Sequence, residues 1–393
     1  MAGDREPSRI GLDALIQAKT YPFPLEEYQA RLAKVRAEMA RRGAEVLLVS
    51  EPENLYYLTG YFTTGYWSYQ MLVLPLEGDP FFVIRHLERT ALLGTSWVEA
   101  HEAYLDTERP ADEVAAALRR RGLDRARLGV EKNSWYLTVR GYETLRGLLP
   151  GAAWVDCANL VNWLRVIKSP REVEYLRRAS AAAEAGVRAG IEAAEPGRTE
   201  ADLAEAIFAA LVQNGSDRVD LGVIASGERF LLTHGRFTAR RLRPGDPIRF
   251  ELTGRAAQYD GRFMRCVSLG PPAAELARSA EAAAAALEDA IALMRPGAVA
   301  GDVDRAARER LRREAGVEWP TKIGYTMGIM FMPNPGEQNI RTFMPGDTWV
   351  LEPGMVFHML LFGRGMVGHS EMVLVTEAGR ERLTHMERRL FVK

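Results

Sequence analysis

From Leu25 the run LEEYQARLAKVRAEMARRG repeats apolar residues at helical spacing and stops at Gly43, while the EVLLV that follows is a short unbroken apolar run of the strand type. Farther on, MLVLPLEGDPFFVI from Met71 reads as strand, ADEVAAALRRRG from Ala111 as helix and RLGVE from Arg127 as strand again. Helical and strand periods alternating in this way predict an α/β domain, assigned to residues 1–165. Ser169-Pro170-Arg171-Glu172 then has the form of a capping box with proline at the first helical position. It predicts a long helix to Ala194 and opens a second domain, residues 166–393.

The second domain echoes itself. Glu195-Pro196-Gly197 is matched by Arg295-Pro296-Gly297, each after an alanine-rich helical stretch and before another helix. RPGDPIRFEL at Arg243 is matched by MPGDTWVLEP at Met344, which sets Glu251 and Glu352 at the same distance beyond a PGD turn. Two matches in the same order predict a duplicated α-α-β-β fold, with its chemistry on the strands where the halves face each other. The alanine stripes, as in AAAEAGVRAG and AEAAAAALEDA, read as close-packing helix faces.

Composition narrows the partner. A formal charge of -1 with 26% charged residues leaves no basic stripe for nucleic acid. No apolar run approaches the roughly 20 residues that span a bilayer, and MAGDREPSRI lacks the basic-then-apolar pattern of a leader, so a cytoplasmic protein with no membrane partner is expected. Cys157 and Cys266 are the only cysteines, which suits a reducing compartment and excludes a thiolate metal cluster. A small-molecule substrate remains the expected partner.

Four segments, EPENLYYLTGY at Glu51, IKSPREVEYLRRA at Ile167, LEPGMVFHM at Leu351 and MVLVTEAG at Met372, resemble the creatinase/prolidase superfamily. The resemblance implies an α/β protein: an N-terminal creatinase-like domain and a C-terminal pita-bread catalytic domain. Peptidases of that superfamily hold two metal ions with two aspartates, a histidine and two glutamates, since hard divalent ions take oxygen and imidazole donors. The matching positions here carry Glu251, Arg262, Tyr325 within GYTMG, Leu360 and Ser370, with Glu371 one place beyond the last. One carboxylate in five, with an arginine among them, implies a site without metal or other cofactor. Met264 and Glu337 depart from the creatine-cleaving pattern. FELTG at Phe250, GYTMG followed by PNPGE at Pro333, LEPGMVFHM and the final RRLFVK are instead similar to the ectoine-hydrolase branch, which opens a cyclic amidine.

That resemblance assigns expected roles. Glu251 pairs with the amidinium and either attacks its carbon or takes a proton from attacking water. Its structural alternative is a strand-end carboxylate paired with Arg249 or Arg262. His234, in SGERFLLTHGR, is expected to protonate the departing nitrogen or else to be structural, and Tyr325 to offer its phenol to the adduct, to orient the substrate or simply to fill the cavity. Arg262 either grips a substrate carboxylate or pairs internally with Glu251. Glu371, Glu337 and His358 are candidate substrate contacts, Glu371 alternatively pairing with an arginine. In YYLTGYFTTGYWSYQ, Tyr56 to Gln70, the residues Phe62, Tyr66 and Trp67 are candidates for an aromatic lid over a delocalised cation, supplied across a homodimer, or for a packed aromatic cluster. Two other functions stay open: hydrolysis of another small guanidino or amidine compound, and a catalytically inactive peptidase homologue that binds a small ligand.

Overall fold

The computed structural model describes residues 11–219, 222–332 and 336–393. The leader reading of the first ten residues and Pro333 to Pro335 of the PNPGE segment lie outside them. The chain divides into two compact units, Met1–Leu164 and Arg165–Lys393. Among the described residues no helix is long and apolar enough to cross a membrane.

In the N-terminal unit, β1 (Val46–Val49), β2 (Met71–Pro75), β3 (Phe81–Arg85), β4 (His101–Tyr104), β5 (Arg127–Val130) and β6 (Ala153–Asp156) form one sheet in the order β4-β3-β2-β1-β5-β6. β2 runs antiparallel to both neighbours and the other pairs are parallel. The helix Leu25–Arg42 ends at Gly43, whose φ of 74° lets its amide reach back to the Ala40 carbonyl. MLVLPLEGDPFFVI is two strands, β2 and β3, paired as a hairpin around the LEGDP turn. Val46, Leu48, Val73, Val83, Leu128 and Val130 pack on Val114, Leu118 and Leu145 from the helices.

In the C-terminal unit the helices Pro170–Ala193 and Glu200–Gln213 precede β7 (Gly222–Ser226), β8 (Pro247–Ala256) and β9 (Tyr259–Ser268). The helices Ala274–Leu293 and Ala300–Ala315 precede β10 (Gly324–Thr326), β11 (Val356–Phe362), β12 (Gly368–Thr376) and β13 (Gly379–Arg382), and β14 (Phe391–Val392) closes the chain. Two four-stranded sheets result, β14-β9-β8-β7 and β10-β11-β12-β13. The first helix opens on the predicted capping box, Ser169 and Glu172 each bonding the other's backbone amide, with Pro170 at the first helical position. Ala257 and Gln258, both at positive φ, turn β8 into β9 as a two-residue hairpin.

The duplication is present, but its register differs from the sequence echo. Gly245 N donates to Leu269 O at 2.5 Å and Leu269 N to Asp246 O at 2.9 Å. In the second half Gly354 N donates to Val375 O and Val375 N to Met355 O, each at 2.9 Å, and Gly245 and Gly354 share a φ of 87°. Likewise Gly197 N bonds Leu242 O and Gly297 N bonds Leu351 O. Pro353-Gly354 is therefore the counterpart of Pro244-Gly245, and the second PGD turn belongs to extra residues between the helix pair and β11. Glu251 corresponds to Leu360. Glu352 corresponds to Arg243 and is exposed outside the strand.

The alanine stripes let the helices lie directly on the hairpins. A Cβ at Gly254 would collide with the Ala179 carbonyl, and one at Gly363 with Ser279, the corresponding contact of the second half. Ala182, Ala183 and Val187 pack on Phe250, Leu252 and Phe263; Ala283, Ala286 and Leu287 pack on Phe357, Met359 and Val373.

Candidate active site

Alternation along β8 sends Phe250 and Leu252 into the helix-packed core and turns Arg249, Glu251 and Thr253 to the other face. On β9 the register sets Met264 opposite Glu251 and Arg262 opposite Thr253. Arg262 Nη1 stands 3.9 Å from the Glu251 carboxylate, too far for a hydrogen bond. Its Nε donates to Thr253 Oγ1 at 3.2 Å and its Nη1 to the Tyr325 hydroxyl at 3.0 Å. That hydroxyl lies 2.8 Å from Nδ1 of His358, which faces Tyr325 in the β10–β11 register. Glu251, Arg262, Tyr325 and His358 thus form a chain of polar contacts from one half of the fold to the other.

The electrostatics of this chain follow from burial around one cation. Burial pulls the Arg262 pKa down, but Tyr325 and Glu251 outweigh it, so the guanidinium is held charged. Burial raises the Tyr325 phenol despite Arg262 beside it, so it keeps its proton at neutral pH. Burial, reinforced by Arg262, drives His358 well below the ordinary histidine range, which makes it a neutral imidazole. Its Nε2 has no partner among the described residues.

A cavity of about 360 Å³ opens in front of this chain, lined by Gly222, Val223, His234, Glu251, Arg262, Met330, Met332 and Gln338. His234 is exposed, on a turn between β7 and β8. The cavity therefore joins one carboxylate, one imidazole and one guanidinium to a wall with two methionines, and Tyr325 and His358 stand behind Arg262.

Two expected substrate contacts lie elsewhere. Glu371 is fully buried: it accepts from Arg265 at 2.7 Å, from Arg388 at 3.1 Å and from the Thr384 hydroxyl. The reason is the two-residue period of β12, on which Glu371 shares the core face with Val373 and Val375 while Ser370 takes the opposite face, paired with Leu360. Glu337 is buried between Lys168 and Arg165, the latter at 3.3 Å, so internal cations occupy its carboxylate. Glu371 thus follows its alternative expectation, pairing with arginine, and Glu337 is corrected from a substrate contact to a structural ion pair.

Phe62, Tyr66 and Trp67 belong to the N-terminal unit. The Phe62 amide bonds Thr95 Oγ1 at 3.0 Å, and the Tyr66 ring meets Trp67 and Tyr136 edge-on at 5.9 and 6.3 Å. Trp67 is 72% exposed.

Sequence reasoning missed Gln338, Met330, Met332 and Lys322, whose Nζ stands 4.8 Å over the Tyr325 ring. Their closeness to GYTMG along the chain was the available signal.

The five positions that the resemblance implies for peptidase metal ligands carry Glu251, Arg262, Tyr325, Leu360 and Ser370, and these side chains do not fit a pair of divalent cations. Among the described residues no three His, Cys, Asp or Glu side chains gather as a metal site.

Residues 31–167 match the creatinase/prolidase N-terminal domain and residues 174–377 the metallopeptidase family M24. The chain is 31% identical to the ectoine hydrolase of Halomonas elongata, over 95% of this chain and 98% of that protein. The crystal structure of dipeptidase PepE from Mycobacterium ulcerans is 27% identical with a TM-score of 0.78, covering 94% of this chain and 99% of that one. A prolidase from Thermococcus sibiricus, 24% identical over 93% of this chain and 99% of its own, shares the fold with a TM-score of 0.82. A paired-half C-terminal unit, an α/β N-terminal unit and these similarities lead to one conclusion: the chain belongs to the metallopeptidase family M24 and carries a creatinase-type N-terminal domain.

Proposed function

We propose that the protein is a metal-independent hydrolase that opens the cyclic amidine of ectoine or a close analogue to an N-acetyl-diaminobutyrate. The observation that carries this reading is Glu251 in the cavity with Arg262 3.9 Å away, a carboxylate beside a guanidinium at positions that the resemblance matches to metal-binding aspartates. The similarity to the ectoine hydrolase of Halomonas elongata supports the substrate class.

In this reading Glu251 pairs with the amidinium. It then adds to the amidine carbon itself, or removes a proton from a water that adds there. The tetrahedral adduct collapses when His234 delivers a proton to one ring nitrogen and that carbon–nitrogen bond breaks; on the direct route a water then adds to the Glu251-bound carbon and the carbon–oxygen bond to Glu251 breaks, freeing the carboxylate, so that on either route the net change is the gain of one water. Arg262 has its Nε and Nη1 fixed by Thr253 and Tyr325, and its Nη2, without a hydrogen bond among the described residues, is left to hold a substrate carboxylate. Trp67, with Tyr66 and Phe62, covers the cavity of a second subunit in a homodimer, a role that suits so exposed an indole.

The test is incubation of chelator-treated protein with ectoine, hydroxyectoine, creatine and a Xaa-Pro dipeptide, read by mass spectrometry. A one-water gain on an ectoine is expected. Turnover of the dipeptide alone, restored by manganese or zinc, would overturn the reading.

A further inference from the structure

Arg249 is fully buried, yet among the described residues no carboxylate pairs with it. Its guanidinium carbon lies 5.3 and 5.5 Å from the ring centroids of Phe230 and Phe362, and its Nε has no partner among the described residues. Two other buried cations of this sheet have carboxylate partners, Arg255 with Asp260 at 2.6 Å and Arg265 with Glu371 at 2.7 Å. A guanidinium buried without a counter-ion is costly, and a neutral side chain of similar volume is cheaper to bury. Its hydrogen bonds show what it holds. Nη2 donates to the Leu232 carbonyl and Nη1 to the Met366 carbonyl at 3.3 Å, so one side chain ties two separate loops to β8.

The Leu232 carbonyl also accepts from Gly235 N at 3.3 Å, which closes a turn around Thr233 and His234. The exit of that turn is fastened to β7, since Ile224 N donates to Gly235 O at 3.2 Å. Its entry leaves the packed core after Phe230: Leu231 is 63% and Leu232 49% exposed. Arg249 stands opposite Ala225 of β7 in the register and two residues before Glu251, on the same face of β8. The strand that carries the carboxylate therefore also grips the turn that carries the imidazole.

We propose that Arg249 is a positioning residue, which by holding the Leu232 carbonyl fixes His234 relative to Glu251. The kinetic part of this proposal rests on the hydrolase reading above; the structural part does not. A fork of donors is required, because a lysine at this depth presents one point charge and cannot span two carbonyls in fixed directions.

The experiment compares Arg249→Met, Arg249→Lys, His234→Ala and the double variant Arg249→Met/His234→Ala. Amide hydrogen exchange read by mass spectrometry is expected to quicken about tenfold or more over residues 231–236 in Arg249→Met, with β8 and β9 protected as before. Unchanged exchange there would overturn the proposal, whatever the protein's activity. Kinetically, Arg249→Met is expected to lower kcat about 10²-fold with little change in KM, Arg249→Lys is expected to recover part of that loss, and the double variant should be no slower than His234→Ala. Losses that multiply in the double variant would show that Arg249 acts on something other than His234, and would also sink the idea. If His234→Ala keeps full turnover, the hydrolase reading of His234 fails while the exchange measurement still decides on Arg249. If Arg249→Met does not fold, Arg249→Lys carries the exchange test, with faster exchange at 231–236 expected and unchanged exchange overturning the proposal.

Discussion

Arg265 on β9 and Glu371 on β12 form a fully buried ion pair at 2.7 Å, and the register makes them counterparts in the two halves of the fold: Met264 faces Glu251 as Ser370 faces Leu360. The pair joins the halves at their centre. Arg265 also donates to the carbonyls of Ser370 and Met386, so its charge is matched by one carboxylate and several peptide dipoles.

Removing one side of such a pair leaves an uncompensated charge in the core. Glu371→Leu is expected to cost about 3 to 5 kcal/mol, because Arg265 and Arg388 both lose their acceptor. Urea unfolding measures it. A KM shift without a stability loss would instead place Glu371 at the substrate.

Glu251→Gln keeps the shape of the side chain and removes the negative charge and the nucleophilic oxygen. Turnover of an ectoine is expected to fall by about 10³-fold or more, with the unfolding midpoint nearly unchanged. Single-turnover mass spectrometry separates the two routes: a mass addition on Glu251 in the wild type marks direct attack, and its absence under burst conditions marks attack by water.

The Tyr325 hydroxyl joins Arg262 to His358, so Tyr325→Phe leaves a buried guanidinium N–H and a buried imidazole nitrogen unsatisfied. A stability loss of about 1 to 3 kcal/mol is expected, accompanied by lower kcat as Arg262 loses its fixed orientation. Thermal unfolding and steady-state kinetics on the same preparation test both parts.

His369 is buried, with Nε2 3.2 Å from the Ala280 carbonyl, and burial, assisted by Arg265, pushes its pKa from 6.5 down to about 3. A histidine depressed in the folded state binds its proton more readily in the unfolded chain. Its contribution is therefore fully present above pH 6.5 and is lost as pH falls from 6.5 towards about 3. His358, also driven low by burial, acts in the same direction. Urea midpoints measured from neutral pH down to about 5 are expected to fall in the wild type and to fall less steeply in His369→Gln. Equal slopes would show that His369 keeps its ordinary pKa.

If Trp67 serves the cavity of a second subunit, two inactive variants should complement each other. Trp67→Ala mixed with Glu251→Gln, unfolded and refolded together, is expected to recover about a quarter of the sites, since half the dimers are mixed and each holds one intact pair. Light scattering establishes the dimer. No recovery in a proven mixed dimer would return Trp67 to its own subunit or remove it from the site.

Legibility from the sequence followed the range of the interaction. The Gly43 stop, the Ser169 capping box and the alternating elements of the N-terminal unit are set by residues within a turn or two of each other, and the structure has them where the pattern puts them. Glu352 shows the limit. Its place after a PGD turn matched that of Glu251 residue by residue, but the counterpart of a turn is decided by which carbonyl its amide meets, and Gly354 meets Val375 as Gly245 meets Leu269.

The sequence by itself determined the class of elements, the two domains' character and the duplicated plan. All of these are properties of residue identity and short-range period. Only the tertiary structure decided that Glu371 and Glu337 are enclosed by arginines and a lysine, that Arg262 reaches Tyr325 and His358, and that Arg249 holds the His234 turn. A carboxylate one residue along a strand faces the opposite side of the sheet, and its partners come from strands and helices distant in sequence; pairing at that range is settled by packing rather than by pattern.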